Sequence, residues 1–436
     1  MPAAARPVPW DIYEEHLDEA AFLWGQWQAA LDAATFALGD VIIGPEERLR
    51  AHLDGLVLGG TRVAQKLLIP ALADDDAGKV AAATWALVQA EDADHLDLVR
   101  EALATAEKKE TRAALGEALV ASPRGDLLAR LSPSLPDSPP AVQAVIVDVA
   151  CAHDGSATLP LDALLASRNP ELLAAALRAV GRAPHPDHAR FVEPALASPY
   201  VAVREAAIEA GVILGLRSAW QACNKLVARN ASGSRLPLAL LALGGDAADL
   251  NSVIKRLGVK ALQRDAVWAL GFSGTVEAAE AALKLIDDEA LGKLAGETFS
   301  TITGLAIAGT LVKPGQTDNT SPPEVEEDDA PIPVVLDDDG LPVPHGERVR
   351  AVWEKAKTQF QPGVRYLYGQ PASAAILRQA VEVGPTWRRQ VWLLEIAARN
   401  GTRLDAGGWA RDQKAALARF PADLRLDRGL VALAKA

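Results

Sequence analysis

The sequence predicts an all-α fold, a HEAT-like α-solenoid with an N-terminal helical cap and a small C-terminal helical domain. Three observations predict it. Alanine and leucine dominate a chain that is 50% hydrophobic but only 5% aromatic, a balance that favours helix over sheet. A degenerate helix pair recurs about every thirty residues, the mark of a repeat array. Within each copy a Pro, Ser or Gly break opens the helix and a glycine closes it.

Residues 1–72 read as the cap. Asp11 and Glu14 make a capping-box-like start, and Leu17, Ala20, Ala21, Trp24, Trp27 and Leu31 share one helical face. The next helix lies in "GPEERLRAHLDGLVLGG", with Pro45 in its first turn and Gly59-Gly60 as a stop. At about 100° per residue, Leu49, Leu53 and Leu56 form its buried stripe, and Asp54 lies about 160° from His52. The two therefore cannot form a catalytic dyad. Arg50 is spaced for surface ion pairs with Glu47 and Asp54. His16 and Glu19 lie one turn apart on the first helix. Antiparallel packing of the two helices would bring His52 to them, although packing histidines are the expected reading and no metal is expected.

Residues 73–312 hold the array. "NPELLAAALRAVG", "SPYVAVREAAIEAGVILG", "RLPLALLALGG" and "VKALQRDAVWALG" align on Gly181, Gly211, Gly244 and Gly271, in steps of 30, 33 and 27 residues. A second helix follows each. Fainter copies precede them from "KVAAATWALVQA" onward, and "GKLAGETFSTITGL" closes the series. One such pair cannot bury its apolar faces, whereas stacked pairs can. "YVAVREAAIEAG", with Val203-Arg204 near its start, resembles the short form of the HEAT repeat.

Residues 313–345 are proline-rich and acidic, with one basic residue against nine acidic ones. They read as a linker. Residues 346–436 read as a basic helical domain, with 16 basic against eight acidic residues and four of the ten tryptophans, Trp353, Trp387, Trp392 and Trp409.

"EEHLDEAAFLW", "ERLRAHLDGL", "FQPGVRYLYGQP" and "WRRQVWLLEIAARNG", together with the central repeats, resemble an uncharacterised family of bacterial HEAT-repeat proteins often encoded near type VI secretion genes. The resemblance runs from about residue 13 to residue 413, and the linker departs from it most. It implies an all-helical solenoid with a role in protein interaction, and it assigns no catalytic residue.

Composition narrows the function. A net charge of −13 disfavours a general nucleic-acid binder. Two cysteines, Cys151 and Cys223, exclude a disulfide framework, and both fall inside predicted helices. The N-terminus lacks a signal-peptide pattern, and the longest apolar run, "TITGLAIAGTLV", is too short to span a bilayer. A soluble, cytoplasmic protein is expected. Nucleophile elbows, Walker loops and dinucleotide-binding glycine runs are missing from the sequence, so neither catalysis nor a cofactor is expected. His185 and His188 sit in a proline-bounded turn.

Two groups of residues suit an interface. The first is a basic stretch in the late repeats: Arg217, Lys225, Arg229, Lys255, Arg256, Lys260 and Arg264, with Trp220 and Gln221 beside it. In HEAT arrays the second helices line the concave face, so an acidic partner or the acidic linker would dock there. The second group is C-terminal: Trp353, Arg365, Tyr366, Tyr368, Trp387, Arg388 and Arg389. Arginine and aromatic residues are the types enriched at binding hot spots. Trp353 and Trp387 are expected at the surface, and Trp392 and Leu393 in the core. The expected function is a non-catalytic scaffold or adaptor for another protein, with no nucleic acid or membrane as partner. An immunity-type binder of a toxic effector is the alternative. A DNA glycosylase or lyase on this scaffold comes last, since the array is acidic overall and neither cysteine looks reactive.

Overall fold

The alanine- and leucine-rich segments form helices in every predicted repeat. The computed structural model describes residues 8–90, 92–314, 338, 340–401, 403, 404, 406–420 and 430. Over these residues the fold is all-α, a HEAT-like α-solenoid. It carries one small hairpin, Tyr366–Leu367 paired antiparallel with Gln370–Pro371.

Two first helices of the repeats are buried nearly all round, because small side chains let neighbours approach from every side. All nine residues from Val80 to Val88 in the Ala77–Gln89 helix are buried, as are residues 266–273 of the Gln263–Ser273 helix. Arg112 and Arg204 repeat one contact in separate copies. Arg112 donates to the carbonyls of Ala106 and Glu107 at 3.0 and 2.9 Å, and Arg204 to those of Ser198 and Pro199 at 2.9 and 3.0 Å. Each arginine therefore ties its helix to the carbonyls five and six residues upstream, which gives the arginine of Val203-Arg204 a physical role.

The chain forms two compact units. One contains residues 1–31, 39–179 and 407–413, and the other residues 32–38, 180–406 and 414–436.

In the first unit, the Ala77–Gln89, Lys109–Ala121 and Pro140–Ala152 helices stack in order. The Trp10–Ala30 helix buries Leu17, Ala20, Ala21, Trp24 and Trp27. It starts after Pro9 without a side-chain cap, so the Asp11–Glu14 capping box does not form. Pro45 does not open a helix either. It lies inside a π-helical turn, Ile42–Glu46, where Gly44 leaves helical geometry, and the Glu47–Leu58 helix follows directly. The Leu49, Leu53 and Leu56 stripe is fully buried. Arg50 pairs with neither Glu47 nor Asp54. Instead its guanidinium lies 5.5 Å from the ring centroid of Trp409.

Trp409 sits among Trp24, Trp27 and Trp85, with ring centroids 4.7–6.3 Å apart, and donates to the carbonyl of Ala121 at 2.6 Å. Buried Glu46 accepts from Trp27 Nε1 at 3.1 Å and from the backbone amides of Ala410 and Arg411 at 2.5 and 3.0 Å. Glu46 thus caps, from a distant part of the chain, the helix that begins at Ala410.

In the second unit, the Arg235–Gly244, Gln263–Ser273 and Gly292–Thr303 helices stack in order. The ends of the predicted linker are pinned together by a bridge between Val312 and Pro344 and by a bond from Lys313 N to the carbonyl of Val343 at 2.9 Å. Residues 315–337 lie outside the described residues, and with them most of the acidic stretch expected to dock. Its one described acidic residue, Asp338, holds Arg264 through contacts of 3.0 and 2.9 Å.

Candidate interaction surface

The C-terminal arginines and aromatics lie within the second unit, packed on the first helices of the late repeats. The "YLYG" turn shows how. Tyr368 and Gly369 both adopt left-handed backbone, φ 50° and 74°, which suits a tight hairpin. Tyr366 N donates to the carbonyl of Gly274 at 2.7 Å, Tyr368 N to Thr301 at 2.7 Å and Gly369 N to Ile302 at 3.0 Å. Helix C-termini leave carbonyls unpaired, and this hairpin satisfies them on two repeat helices at once. Gly274, with φ 66°, is needed here, since a Cβ would collide with the carbonyl oxygen of Tyr366.

Two buried ion-pair centres lie beside the hairpin. Arg388 is fully buried. It contacts Glu297 through Nε at 2.7 Å and Nη2 at 2.5 Å, donates to the Trp268 carbonyl at 2.8 Å and reaches Thr298 Oγ1 at 3.2 Å. A Cβ on Gly271 would strike its guanidinium. Glu395 is also fully buried, with Arg365 bridging both carboxylate oxygens at 2.6 and 3.0 Å and Arg399 adding 3.0 Å. The two arginines hold the Glu395 carboxyl below the usual range against the opposing pull of burial. Arg389 is buried as well and donates to the Val381 carbonyl at 2.9 Å, and burial pulls its pKa down to about 10.

These positions correct the expectation for the C-terminal group. Trp353, Tyr366, Trp387, Arg388 and Arg389 are buried, not displayed. Tyr368 is buried around its hydroxyl, whose pKa burial raises well above that of an ordinary tyrosine. Arg365 is taken by Glu395. Trp392 and Leu393 are core residues, as expected. Arginine and tryptophan are favoured at interfaces because they combine large area with directed polar groups. Those properties serve an interface inside one chain equally well.

The late-repeat group behaves differently. Arg217, Gln221, Lys225 and Arg229 are exposed, and their four-residue spacing places them along one edge of the Arg217–Ala228 helix and its C-terminal cap. Lys255 is exposed on the Ala247–Arg256 helix, which packs against the first. Two other members of the group join these helices. Arg256 donates to the Val227 carbonyl at 3.0 and 2.8 Å, and Trp220 Nε1 donates to Asp249 at 3.3 Å. Trp220 is itself buried, so it and Arg256 are framework and not contact residues. Among the described residues Lys225, Arg229 and Lys255 make no ion pair. The outcome is a fixed basic stripe on two adjacent second helices. Composition exposed this stripe, but the sequence could not reveal that Trp220 and Arg256 turn inward.

The Ala93–Thr105 second helix of the first unit carries the opposite charge. A shallow groove of about 660 Å³ is lined by Asp94, Asp97, Glu101 and Asp137 with Arg100. Asp97 is drawn to Arg100 and Arg130 at 3.4 and 3.5 Å.

The carboxylates of Glu46, Glu297 and Glu395 are held by arginine, tryptophan or backbone donors, and Cys151 and Cys223 are buried, with burial pushing the Cys223 thiol up to about 12. His185 and His188 lie in a 3₁₀ turn, ring centroids 5.8 Å apart. Among the described residues no helix is long and apolar enough to cross a membrane.

No protein-family model matches the chain, and no curated protein matches it. Solved structures similar to it include YibA of Escherichia coli, at 14% identity and a TM-score of 0.29, covering 69% of this chain and 99% of that one. Human deoxyhypusine hydroxylase in complex with glycerol is similar at 18% identity and a TM-score of 0.24, covering 66% and 97%. At those scores neither likeness bears on what this chain does, and the HEAT-like assignment stands on the chain's own helix pairs.

Proposed function

We propose that the protein is a non-catalytic interaction scaffold that holds an acidic surface of another protein on the second helices of its late repeats. The carrying observation is the contiguous basic stripe of Lys225, Arg229 and Lys255, which makes no ion pair among the described residues, flanked by exposed Arg217 and Gln221. Charge on rigid, adjacent helices steers an oppositely charged partner and fixes its register. The first helices of the same repeats already carry the chain's own C-terminal segment, which leaves the second helices as the open face.

The family resemblance supports a partner drawn from a type VI secretion machine, as component or cargo. Affinity capture with the full chain, followed by mass spectrometry, tests the reading. One acidic protein in stoichiometric amount, released by salt, is expected. Failure to recover any stoichiometric protein, or recovery that ignores charge reversal at Lys225 and Arg229, contradicts it.

A further inference from the structure

His16 and His52 come together across the Trp10–Ala30 and Glu47–Leu58 helices, which pack against each other. Their Nδ1 atoms lie 3.0 Å apart, with the rings edge to face at a centroid distance of 5.1 Å. Both residues are half-buried. The place is built for an imidazole. The His16 ring lies over Gly55, where a Cβ would come within 2.9 Å of Nε2 and 3.1 Å of Cδ2, so any larger residue at 55 would push the ring away.

A neutral imidazole has one lone pair and one N–H. Two facing Nδ1 atoms therefore hold one proton between them. If each ring carries its proton on Nε2 instead, both Nδ1 atoms offer a lone pair at the gap between them. Zn–N bonds of about 2.0–2.1 Å at a tetrahedral angle put two ligand nitrogens about 3.3 Å apart, a few tenths of an ångström beyond the separation seen. Glu19 lies one helical turn from His16 on the same helix. Tyr13 closes one side, its ring centroid 6.3 Å from that of His16. Among the described residues no group of three or more such ligands is preassembled, so two imidazoles supply the protein ligands and water completes the shell.

We propose that His16 and His52 form a two-imidazole site for a divalent transition-metal ion of the Zn²⁺ type, in which the ion replaces the shared proton. Binding then clamps the two helices of the cap together.

Calorimetric titration of the full chain with ZnCl₂ tests this. One equivalent is expected at pH 8, weakening as pH falls towards 5.5, because a protonated imidazole offers no lone pair. His16→Gln and His52→Gln should each weaken binding by more than about 10-fold, the least that even an outer-shell change usually costs. A His185→Gln/His188→Gln double variant should bind like the wild type. Circular dichroism confirms that each variant is folded, and the wild-type pH series stands as a second test should a variant fail to fold. No binding at pH 8, binding unchanged in both cap variants, or binding lost only in the turn variant would overturn the proposal.

Discussion

Arg388 and Lys225 belong to groups that look alike in the sequence, each a cluster of cations beside tryptophan, yet they meet opposite fates. Arg388 is fully buried against Glu297 and the Trp268 carbonyl. Lys225 is exposed and makes no ion pair among the described residues. What separates them is the supply of partners. The C-terminal arginines come with acidic partners placed by the repeats and by their own helix, Glu297 and Glu395. Lys225, Arg229 and Lys255 project from second helices and make no ion pair among the described residues. Composition therefore detects that a surface is made for contact without saying whether the contact is made within the chain or outside it.

Breaking the buried side should have the largest effect. Removing one member of a buried ion pair strands the other charge, at a cost of about 3–5 kcal/mol. Glu297→Ala should therefore lower stability by that order in chemical denaturation. Replacing both Glu297 and Arg388 by apolar residues of similar volume should recover most of the loss. If Glu297→Ala were neutral, the C-terminal segment would not be clamped as described.

Gly274→Ala should come next, because it forces a side chain into left-handed backbone against the Tyr366 carbonyl. A loss of about 1–3 kcal/mol is expected, and since that carbonyl cannot yield as a flexible side chain would, a neutral result would argue against the hairpin's capping role.

A smaller effect concerns Glu46. Burial raises its pKa above the ordinary value, outweighing the bonds from Ala410, Arg411 and Trp27. A carboxyl with a raised folded-state pKa binds its proton more tightly when folded. Its contribution is fully present below the unfolded value and is lost as pH rises through the folded one. Glu46→Gln should flatten the stability profile in that window, and an unchanged profile would show that Glu46 is not its source.

The smallest effect on stability is expected at the stripe. Lys225→Glu with Arg229→Glu changes exposed side chains that make no ion pair among the described residues, and should shift unfolding by no more than about 0.5 kcal/mol. A large loss would mean that the stripe is structural.

The helices, the repeat period and the leucine stripe of residues 49–56 were legible because each is written in local periodicity. The His16–His52 approach was foreseeable once two antiparallel helices were assumed. Three things were not legible. The division into two units depends on Trp409 reaching Trp24 and Trp27, and sequence distance carries no trace of that. The capping of two repeat helices by the hairpin uses backbone amides, to which side-chain motifs are blind. The fate of Arg388 depends on Glu297, 91 residues away.

The central claim is that the exposed stripe, not the buried C-terminal cluster, receives the partner. The most direct test compares recovery of the wild-type chain's captured protein by a Lys225→Glu/Arg229→Glu/Lys255→Glu variant of unchanged thermal stability. The account predicts loss of that protein with the fold intact. Undiminished recovery at equal stability would contradict it.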